Sequence, residues 1–333
     1  MFSSIRHVAR HLTRPLPNQA HTSAAVFASN TPTHGLTMAS STVSPAERNS
    51  RTIYTAACLI IGDEVLGGKT KDTNSNFFAQ WCFKQGITLK KIEVISDNQG
   101  EIIEAVRRMS NGYDMVVTSG GIGPTHDDIT YESIAKAFDL PIVLHEKTKQ
   151  LMIEKAKRDF NWDVPSDARD AKLKMARLPT DPNIEDPKQV LYPGPEDMWV
   201  PVSVVNGNVY ILPGVPRLFE ALIDGLQTIL APHIPSETNH RVSIATPMSE
   251  SAIAKYLTDL TNSVEPKGVK VGSYPRWGKS WNIVTLVGKN KEFIDSIVPK
   301  VADYVSGHLV TDDANDPDLA EDGENIEAKV EAK

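Results

Sequence analysis

Short apolar runs alternate along this chain with stretches in which apolar residues recur at helical spacing. Residues 52–61 form a continuous apolar run rich in β-branched side chains, which is typical of a strand buried on both faces of a sheet. A polar loop follows, in which Thr73 or Asn74 can cap a helix that ends at Gly86. The pattern then predicts, in order, a strand at 88–95, a helix at 101–109, a strand at 113–119, and helices at 130–138 and 147–160.

This alternation of strands and helices with short connections predicts a doubly wound α/β fold around a mostly parallel sheet. Residues 179–201 are rich in Pro, Asp and Gly, and we expect an irregular loop there. Beyond it, Asn206-Gly207 separates two apolar runs at 202–205 and 209–212, which predicts a hairpin with a two-residue turn. An amphipathic helix follows and ends near residue 230.

Composition divides the chain into four parts. Residues 51–232 carry the α/β pattern, and residues 240–310 are predicted to form a small α+β domain with the order strand, helix, two strands, helix. Residues 311–333 form an acidic tail with few large apolar side chains. Residues 1–50 contain no acidic residue before Glu47, and we expect a disordered or targeting segment outside the fold. The elements predicted in the second domain are strands at 241–246, 269–274 and 281–288, and helices at 250–260 and 291–305.

The N-terminal segment has the pattern of a basic amphipathic helix. Arg6, Arg10 and Arg14 are spaced four residues apart and share one helix face, with apolar residues on the other. This pattern is typical of a mitochondrial transit peptide, so we expect the protein in the mitochondrial matrix. The alternatives are an untargeted tail or a cytosolic form whose translation starts at Met38.

Charge and hydrophobicity exclude several classes of function. The formal net charge is -7 and no Lys/Arg block stands out, so we expect no nucleic-acid partner. No apolar run approaches the roughly 20 residues needed to span a bilayer, and we expect no membrane partner. Two cysteines, Cys58 and Cys82, form neither a disulfide framework nor a metal knuckle, which fits a reducing compartment.

A glycine-rich loop lies between the predicted strand 113–119 and the predicted helix 130–138. Backbone N–H groups of such a loop and the N-terminus of the following helix can converge on an anion, and phosphate is the natural ligand. Three glycines in four residues also allow the close backbone approach that a diphosphate needs. The alternative is a plain strand-to-helix turn, for which one glycine is enough. The residues that we predict to bind phosphate are Gly120, Gly121, Gly123 and Thr125.

Acidic residues follow the same strands. Because strands of one parallel sheet end on the same side, their carboxylates should surround the phosphate site. Hard oxygen ligands beside a phosphate suit Mg²⁺ or a similar divalent ion, which neutralises a diphosphate and activates water. The alternative for each residue is a solvated loop acid or a helix cap. These residues are Asp63 and Glu64 after the first strand, Asp72 in the loop, Asp97 after the second strand, and Asp127 and Asp128 after the third.

Several spaced motifs resemble those of the molybdopterin-binding-domain superfamily. They point to one branch, that of the bacterial competence-damage-inducible proteins and the N-terminal half of animal FAD synthase. The resemblance covers residues 52–309. The motifs are Ile61-Gly62-Asp63-Glu64, Asp72-Thr73-Asn74, Ser96-Asp97-Asn98, Gly120-Gly121-Ile122-Gly123-Pro124-Thr125-His126-Asp127-Asp128-Ile129-Thr130, Pro213-Gly214-Val215-Pro216 and Gly272-Ser273-Tyr274-Pro275-Arg276-Trp277-Gly278.

The resemblance implies a metal-dependent pyrophosphatase that splits FAD to FMN and AMP, or splits ADP-ribose. Asp63, Glu64 and Asp128 would hold Mg²⁺, Mn²⁺ or Co²⁺ and act in catalysis, with help from K⁺. The glycine loop, together with Asp72 and Asn74, would bind the dinucleotide. The superfamily also implies a homo-oligomer. We expect no FAD synthesis, because no adenylyltransferase domain follows in this sequence.

Two other functions remain open on the same residues. The loop and acids can bind molybdopterin in molybdenum-cofactor assembly, or the protein can be a non-catalytic nucleotide sensor. A pure binder has no need of carboxylates beside an anion, which they repel unless a metal ion is present. This sequence differs from the bacterial members of the family in one segment. Their Asn-Pro-x-Gly-Thr-Ala-Pro-Gly segment is replaced here by a different sequence at 191–195, and the difference concerns the base or flavin end of the pocket.

Overall fold

A computed structural model describes residues 43–155, 161–276 and 281–310. The predictions for residues 1–42, for 156–160 and for the tail from 311 lie outside these residues. The strands are β1 (Thr55–Ile61), β2 (Thr88–Ile95), β3 (Met115–Ser119), β4 (Ile142–Leu144), β5 (Arg177–Pro179), β6 (Val190–Leu191), β7 (Val202–Val205), β8 (Val209–Leu212), β9 (His240–Thr246), β10 (Lys270–Pro275), β11 (Asn282–Gly288) and β12 (His308–Val310). The α-helices are α1 (Pro45–Asn49), α2 (Asp63–Leu66), α3 (Asn74–Lys84), α4 (Gln99–Gly112), α5 (Thr130–Ala137), α6 (Glu146–Lys155), α7 (Asp167–Lys174), α8 (Asp186–Gln189), α9 (Pro216–Leu230), α10 (Glu250–Val264) and α11 (Lys291–Tyr304).

The central sheet confirms the predicted doubly wound α/β fold. Its strand order is β2-β1-β3-β8-β7-β6. The first four strands are parallel, β7 runs antiparallel to β8, and β6 runs antiparallel to β7. Successive side chains of β1 enter opposite cores, so that Cys58 packs with α3 and α9 while Leu59 packs with α4 and α5. The continuous apolar run at 52–61 is therefore a strand covered on both faces, although it begins three residues later than predicted.

The predicted hairpin is confirmed in β7 and β8, but its loop has three residues instead of two. Asn206 and Gly207 take the positive φ angles, 52° and 72°, that the motif predicted. The third residue, Asn208, is buried, and its side-chain amide donates to the carbonyl oxygens of Ser110 (2.9 Å) and Tyr113 (2.9 Å). These contacts with the last turn of α4 and the residue after it explain why the loop is longer.

Two further predictions are wrong, namely the irregular loop over the whole of 179–201 and the start of the folded part at residue 51. Residues 179–201 are only partly irregular, because α8 and β6 form there and β6 pairs with the edge of β7. The folded part begins before residue 51, since α1 packs on the domain. Arg48 donates to the carbonyl oxygen of Ser110, and Asn49 donates to that of Lys188 (3.3 Å).

The second sheet is antiparallel, with the order β10-β11-β9-β12, and it confirms a separate small α+β unit. Its core forms against α10 and α11 around buried residues such as Ile244, Ile253 and Ile294. Strand β12 was not predicted, because three residues after a helix carry too little pattern. A two-stranded sheet of β4 and β5 was missed for the same reason. None of the helices in the described residues is long and apolar enough to cross a membrane.

Candidate functional site

The glycine loop lies where β3 ends, between the ends of β1 and β8. Gly120 and Gly121 have φ angles of 110° and 64°, which side chains disfavour. The N–H of Gly120 donates to the carbonyl oxygen of Leu212 (3.2 Å), and a Cβ on Gly120 would lie 2.1 Å from the carbonyl oxygen of Ile61. Glycine is therefore required at position 120 for two reasons. The backbone takes a positive φ angle, and it lies in close contact with both neighbouring strands.

Thr130, the first residue of α5, joins the helix to this loop. Its hydroxyl donates to the carbonyl oxygen of Gly120 (2.9 Å), and its N–H donates to that of Gly121 (2.9 Å). A Cβ on Gly121 would lie 2.3 Å from the Thr130 hydroxyl. Thr130 is buried and was not among the predicted site residues. A hydroxyl residue at the start of the helix after a glycine loop was the available signal.

Asp128 turns back onto the loop. Its Oδ2 accepts the N–H of Thr125 (2.8 Å) and also the Thr125 hydroxyl. A Cβ on Gly123 would lie 2.6 Å from the same oxygen. Lys174, at the end of α7, donates to the carbonyl oxygen of Thr125 (2.8 Å). Asp128 therefore holds the exposed half of the loop in shape, a role that the sequence did not predict.

Asp97 links the ends of the first two strands to the glycine loop. Its Oδ2 accepts the N–H of Asp63 (3.0 Å), and its Oδ1 lies 3.4 Å from the position of a Cβ on Gly121. Partial burial, followed by repulsion from Asp63, Glu64 and Asp127, raises the pKa of the Asp97 carboxyl above its usual range. The acids that follow three different strands thus lie at one edge of the sheet, as the parallel topology predicted.

Asp72 and Asn74 shape the loop that faces this edge. The Asp72 carboxylate accepts the N–H of Ser75 (3.0 Å) and the Ser75 hydroxyl, so Asp72 caps α3. Thr73 occupies the N-cap position without a side-chain hydrogen bond, which corrects the predicted cap. Buried Asn74 donates from Nδ2 to Ser119 Oγ (2.8 Å) and to the carbonyl oxygen of Gly214 (2.9 Å).

Asn74 thereby joins the end of β3 to the loop before α9. A small cleft of about 50 Å³ opens beside it, and Glu64, Lys71 and Gly120 are among its lining residues. Asp72 and Asn74 were predicted to bind substrate. In the structure, their side chains form hydrogen bonds within the protein that hold the loop next to this cleft. Of the two contacts of Asn74, Gly214 lies in the Pro213-Gly214-Val215-Pro216 motif, whereas the sequence did not single out Ser119.

The predicted metal ligands are close to the loop but do not form a preorganised metal-binding site. Asp63 and Glu64 are exposed in the first turn of α2, and Asp128 is bonded to Thr125. In the part of the chain that the structure describes, no group of three or more His, Cys, Asp or Glu side chains is placed to hold a metal ion. The donor chemistry still fits a hard divalent ion, because the loop is predicted to bind an anion, and carboxylates around an anion repel it unless a cation lies between them.

The doubly wound sheet and its glycine loop define a domain of the molybdopterin-binding type. The sequence matches the family described as probable molybdopterin binding domain over residues 57–236, more than half of the chain, and the protein belongs to this family. A Caenorhabditis elegans protein named probable FAD synthase is 34% identical over 272 residues, which are 78% of this chain and 52% of that protein. A Pyrococcus horikoshii protein is 30% identical over 76% of this chain and 94% of its own length.

The crystal structure of the protein CinA from Thermoplasma acidophilum is 28% identical and covers 54% of this chain and 98% of that chain, with a TM-score of 0.44. A Clostridium botulinum competence-damage inducible protein is 29% identical over 73% of this chain and 57% of that protein. The chain spans about half the length of the curated FAD synthase and competence-damage relatives it matches. The family predicted from the spaced motifs is confirmed.

Proposed function

We propose that this protein is a metal-dependent dinucleotide pyrophosphatase whose main substrate is FAD. The observation that carries the proposal is the carboxylate edge around the glycine loop. The loop backbone suits a diphosphate, while Asp63, Glu64 and Asp127 lie near enough to Asp97 to repel its carboxylate. Such an arrangement accepts a dinucleotide only together with a cation, which is the condition for metal-assisted hydrolysis.

The reaction adds one water to the diphosphate. The water oxygen bonds to one phosphorus, and the bond from that phosphorus to the bridging oxygen breaks, so that the bridging oxygen stays on the other phosphate. FMN and AMP leave as dianions, and the two protons of the water are released. The N–H groups of Gly121, Ile122 and Gly123 would orient the phosphates, since those of Gly120 and Thr125 already donate within the protein. Asn74 fixes the wall of the cleft beside them. Asp63, Glu64 and Asp128 would hold Mg²⁺, Mn²⁺ or Co²⁺, and Asp128 would do so through Oδ1, because its Oδ2 accepts both bonds from Thr125. The ion, when bound, supplies charge neutralisation and an acidified water.

The relatives' names support the nucleotide part of this proposal. One relative is named probable FAD synthase, and this chain covers about half of it. The substrate end of the site is proposed to hold a flavin nucleotide or ADP-ribose, and K⁺ is proposed to assist. A homo-oligomer without nucleic-acid or membrane partners belongs to the same proposal.

The decisive experiment measures product release by the full chain from FAD, ADP-ribose, NAD and dinucleoside polyphosphates. Each substrate is incubated with Mg²⁺, Mn²⁺, Co²⁺ or EDTA, with and without K⁺. We expect FMN and AMP from FAD in the presence of metal and none with EDTA. Cleavage of no substrate in any metal overturns the proposal.

A second candidate function is molybdopterin binding in molybdenum-cofactor assembly. It is favoured by the family match over residues 57–236. A third, a nucleotide sensor without catalysis, is favoured by the engagement of Asp128 with Thr125. The same assay separates them, because a cofactor-assembly protein binds molybdopterin without splitting FAD, and a sensor binds FAD or ADP-ribose and releases it intact.

The mitochondrial matrix is the proposed location, with a cytosolic form starting at Met38 as the alternative. The test fuses a fluorescent protein to the C-terminus of the full chain and of the form that starts at Met38. Mitochondrial fluorescence from the first fusion and diffuse fluorescence from the second support the proposal. Diffuse fluorescence from both contradicts it.

A further inference from the structure

A second cavity, of about 370 Å³, lies between the first sheet with α3 and the end of the second sheet where β11 ends and β10 begins. It is separate from the glycine loop, because none of the loop residues contributes to it. We call it the lysine cleft. The lining residues that define it are Phe83, Leu89, Asn239, Lys270, Val287 and Lys289.

The lysine cleft is positively charged in a protein with a formal net charge of -7. Lys270 and Lys289 line it, and no Asp or Glu does. The guanidinium of Arg241 lies 4.6 Å from the centre of the Phe83 ring, although Arg241 itself does not line the cleft. Among the described residues, neither lysine has an ion-pair partner within 4.0 Å. The charge of the cleft is therefore available to an anionic ligand.

The remaining surface of the lysine cleft is apolar. Phe83, Leu89 and Val287 provide a ring and two branched side chains, and Ile87 lies beneath them, buried. The volume lies within the range of about 300 to 1,000 Å³ that is usual for small-ligand sites. A ligand that complements both the lysines and the apolar surface of the cleft has a flat apolar body and a compact anionic group.

The walls of the lysine cleft are held together by contacts between the two sheets. Gly86 has a φ angle of 71°, and a Cβ there would lie 2.1 Å from the carbonyl oxygen of Glu237. Asn239 Nδ2 donates to the carbonyl oxygen of Phe83 (3.2 Å). The segment that connects the two sheets therefore lies directly on the end of α3, so the cleft does not have to be assembled when a ligand arrives.

We propose that the lysine cleft binds an aromatic monophosphate, such as a nucleoside or flavin monophosphate. The phosphate lies between Lys270 and Lys289, since lysine is a compact cation suited to phosphate. The ring system lies on the apolar side formed by Phe83, Leu89 and Val287. The inference does not depend on the proposed function, although the two products of FAD cleavage, AMP and FMN, belong to this class of ligand.

The test uses the full chain and two lysine-to-glutamine double variants with the same change in charge. FMN binding is followed by flavin fluorescence, and hydrogen exchange locates the protected peptides. The variant Lys270→Gln/Lys289→Gln removes the two cations of the cleft. The control Lys255→Gln/Lys291→Gln changes lysines that are paired with Asp259 and Asp295 on α10 and α11.

We expect FMN to protect the peptides at 268–270 and 287–289, and we expect about tenfold weaker binding in the cleft variant than in the control. Riboflavin, which has the ring without the phosphate, should bind at least as weakly to the wild-type protein as FMN does to the cleft variant. Absence of protection at both peptides with FMN and with AMP overturns the inference, and so does equal FMN affinity in the two double variants. FMN protection of the cleft in a protein that does not split FAD supports this inference and contradicts the proposed function.

Discussion

The two proposed anion sites of this molecule, the edge with the glycine loop and the lysine cleft, differ in the charge of the side chains that surround them. At the loop, the attraction comes from backbone N–H groups and the start of α5, and the neighbouring side chains are the acids Asp63, Glu64, Asp97 and Asp127. At the lysine cleft, side-chain cations supply the attraction and no acid contributes. From this difference we expect the first site to need a metal ion to hold a phosphate and the second to bind one without a metal ion.

The largest effect is expected from a change that destroys the preformed backbone of the loop. Gly120→Val places a side chain within 2.1 Å of the Ile61 carbonyl oxygen, at a φ of 110°. The free energy of unfolding should fall by about 3 kcal/mol or more, measured by urea denaturation. Gly112→Ala is the control, since a Cβ there meets no atom within 4 Å, and it should change stability by less than about 0.5 kcal/mol. Equal stability of the two variants would show that the loop is not fixed by its neighbours.

The second prediction tests whether Asp128 binds a metal ion or only stabilises the shape of the loop. Asp128→Asn retains an oxygen that can accept the N–H of Thr125, but it loses the charge. We expect metal-dependent FAD cleavage, as kcat/KM, to fall about 100-fold or more with the fold intact. Asp259→Asn, on an exposed face of α10, is the matched control. Near wild-type activity of Asp128→Asn would reduce Asp128 to a residue that shapes the loop.

The location of the site was predictable from the sequence, but the orientation of its side chains was not. Gly120 and Gly121 mark the loop because a local backbone conformation demands glycine, and the edge position of Asp97 follows from parallel topology alone. The turn of Asp128 onto Thr125 depends on rotamers and on neighbours distant in the chain, which carry no local pattern. The lysine cleft was not predicted at all, since it joins Phe83 to Lys270 and Lys289 across two domains.

Ionic conditions should separate the two sites. Raising the salt concentration from about 0.05 M to about 0.5 M should weaken FMN binding in the lysine cleft about fivefold, because exposed charges are screened. EDTA should leave that binding unchanged while it abolishes FAD cleavage at the loop. Hydrogen exchange at 268–270 and 287–289 provides the first readout, and FMN release provides the second. Loss of cleft binding with EDTA would mean that a metal ion acts at both sites.

The smallest effect concerns the mutual repulsion of the acids at the loop. Asp97→Asn keeps an acceptor for the Asp63 N–H and removes one of the charges that face Asp63, Glu64 and Asp127. In EDTA, we expect the free energy of unfolding to rise by about 0.3 kcal/mol, a small value because the group is only partly buried and solvent screens its charge.

Adding a divalent ion should make the wild-type protein more stable than Asp97→Asn, which reverses the order expected in EDTA. An ion that binds only the folded protein stabilises it in proportion to occupancy, and the wild-type edge, with one more carboxylate, binds the ion more tightly than Asp97→Asn. Thermal unfolding with Mg²⁺, Mn²⁺ or Co²⁺ measures the reversal, and Asp259→Asn again serves as the control because its carboxylate is paired with Lys255. If the variant stays the more stable protein at every metal concentration, the acids at the loop repel one another without holding a metal, and the contrast with the lysine cleft disappears.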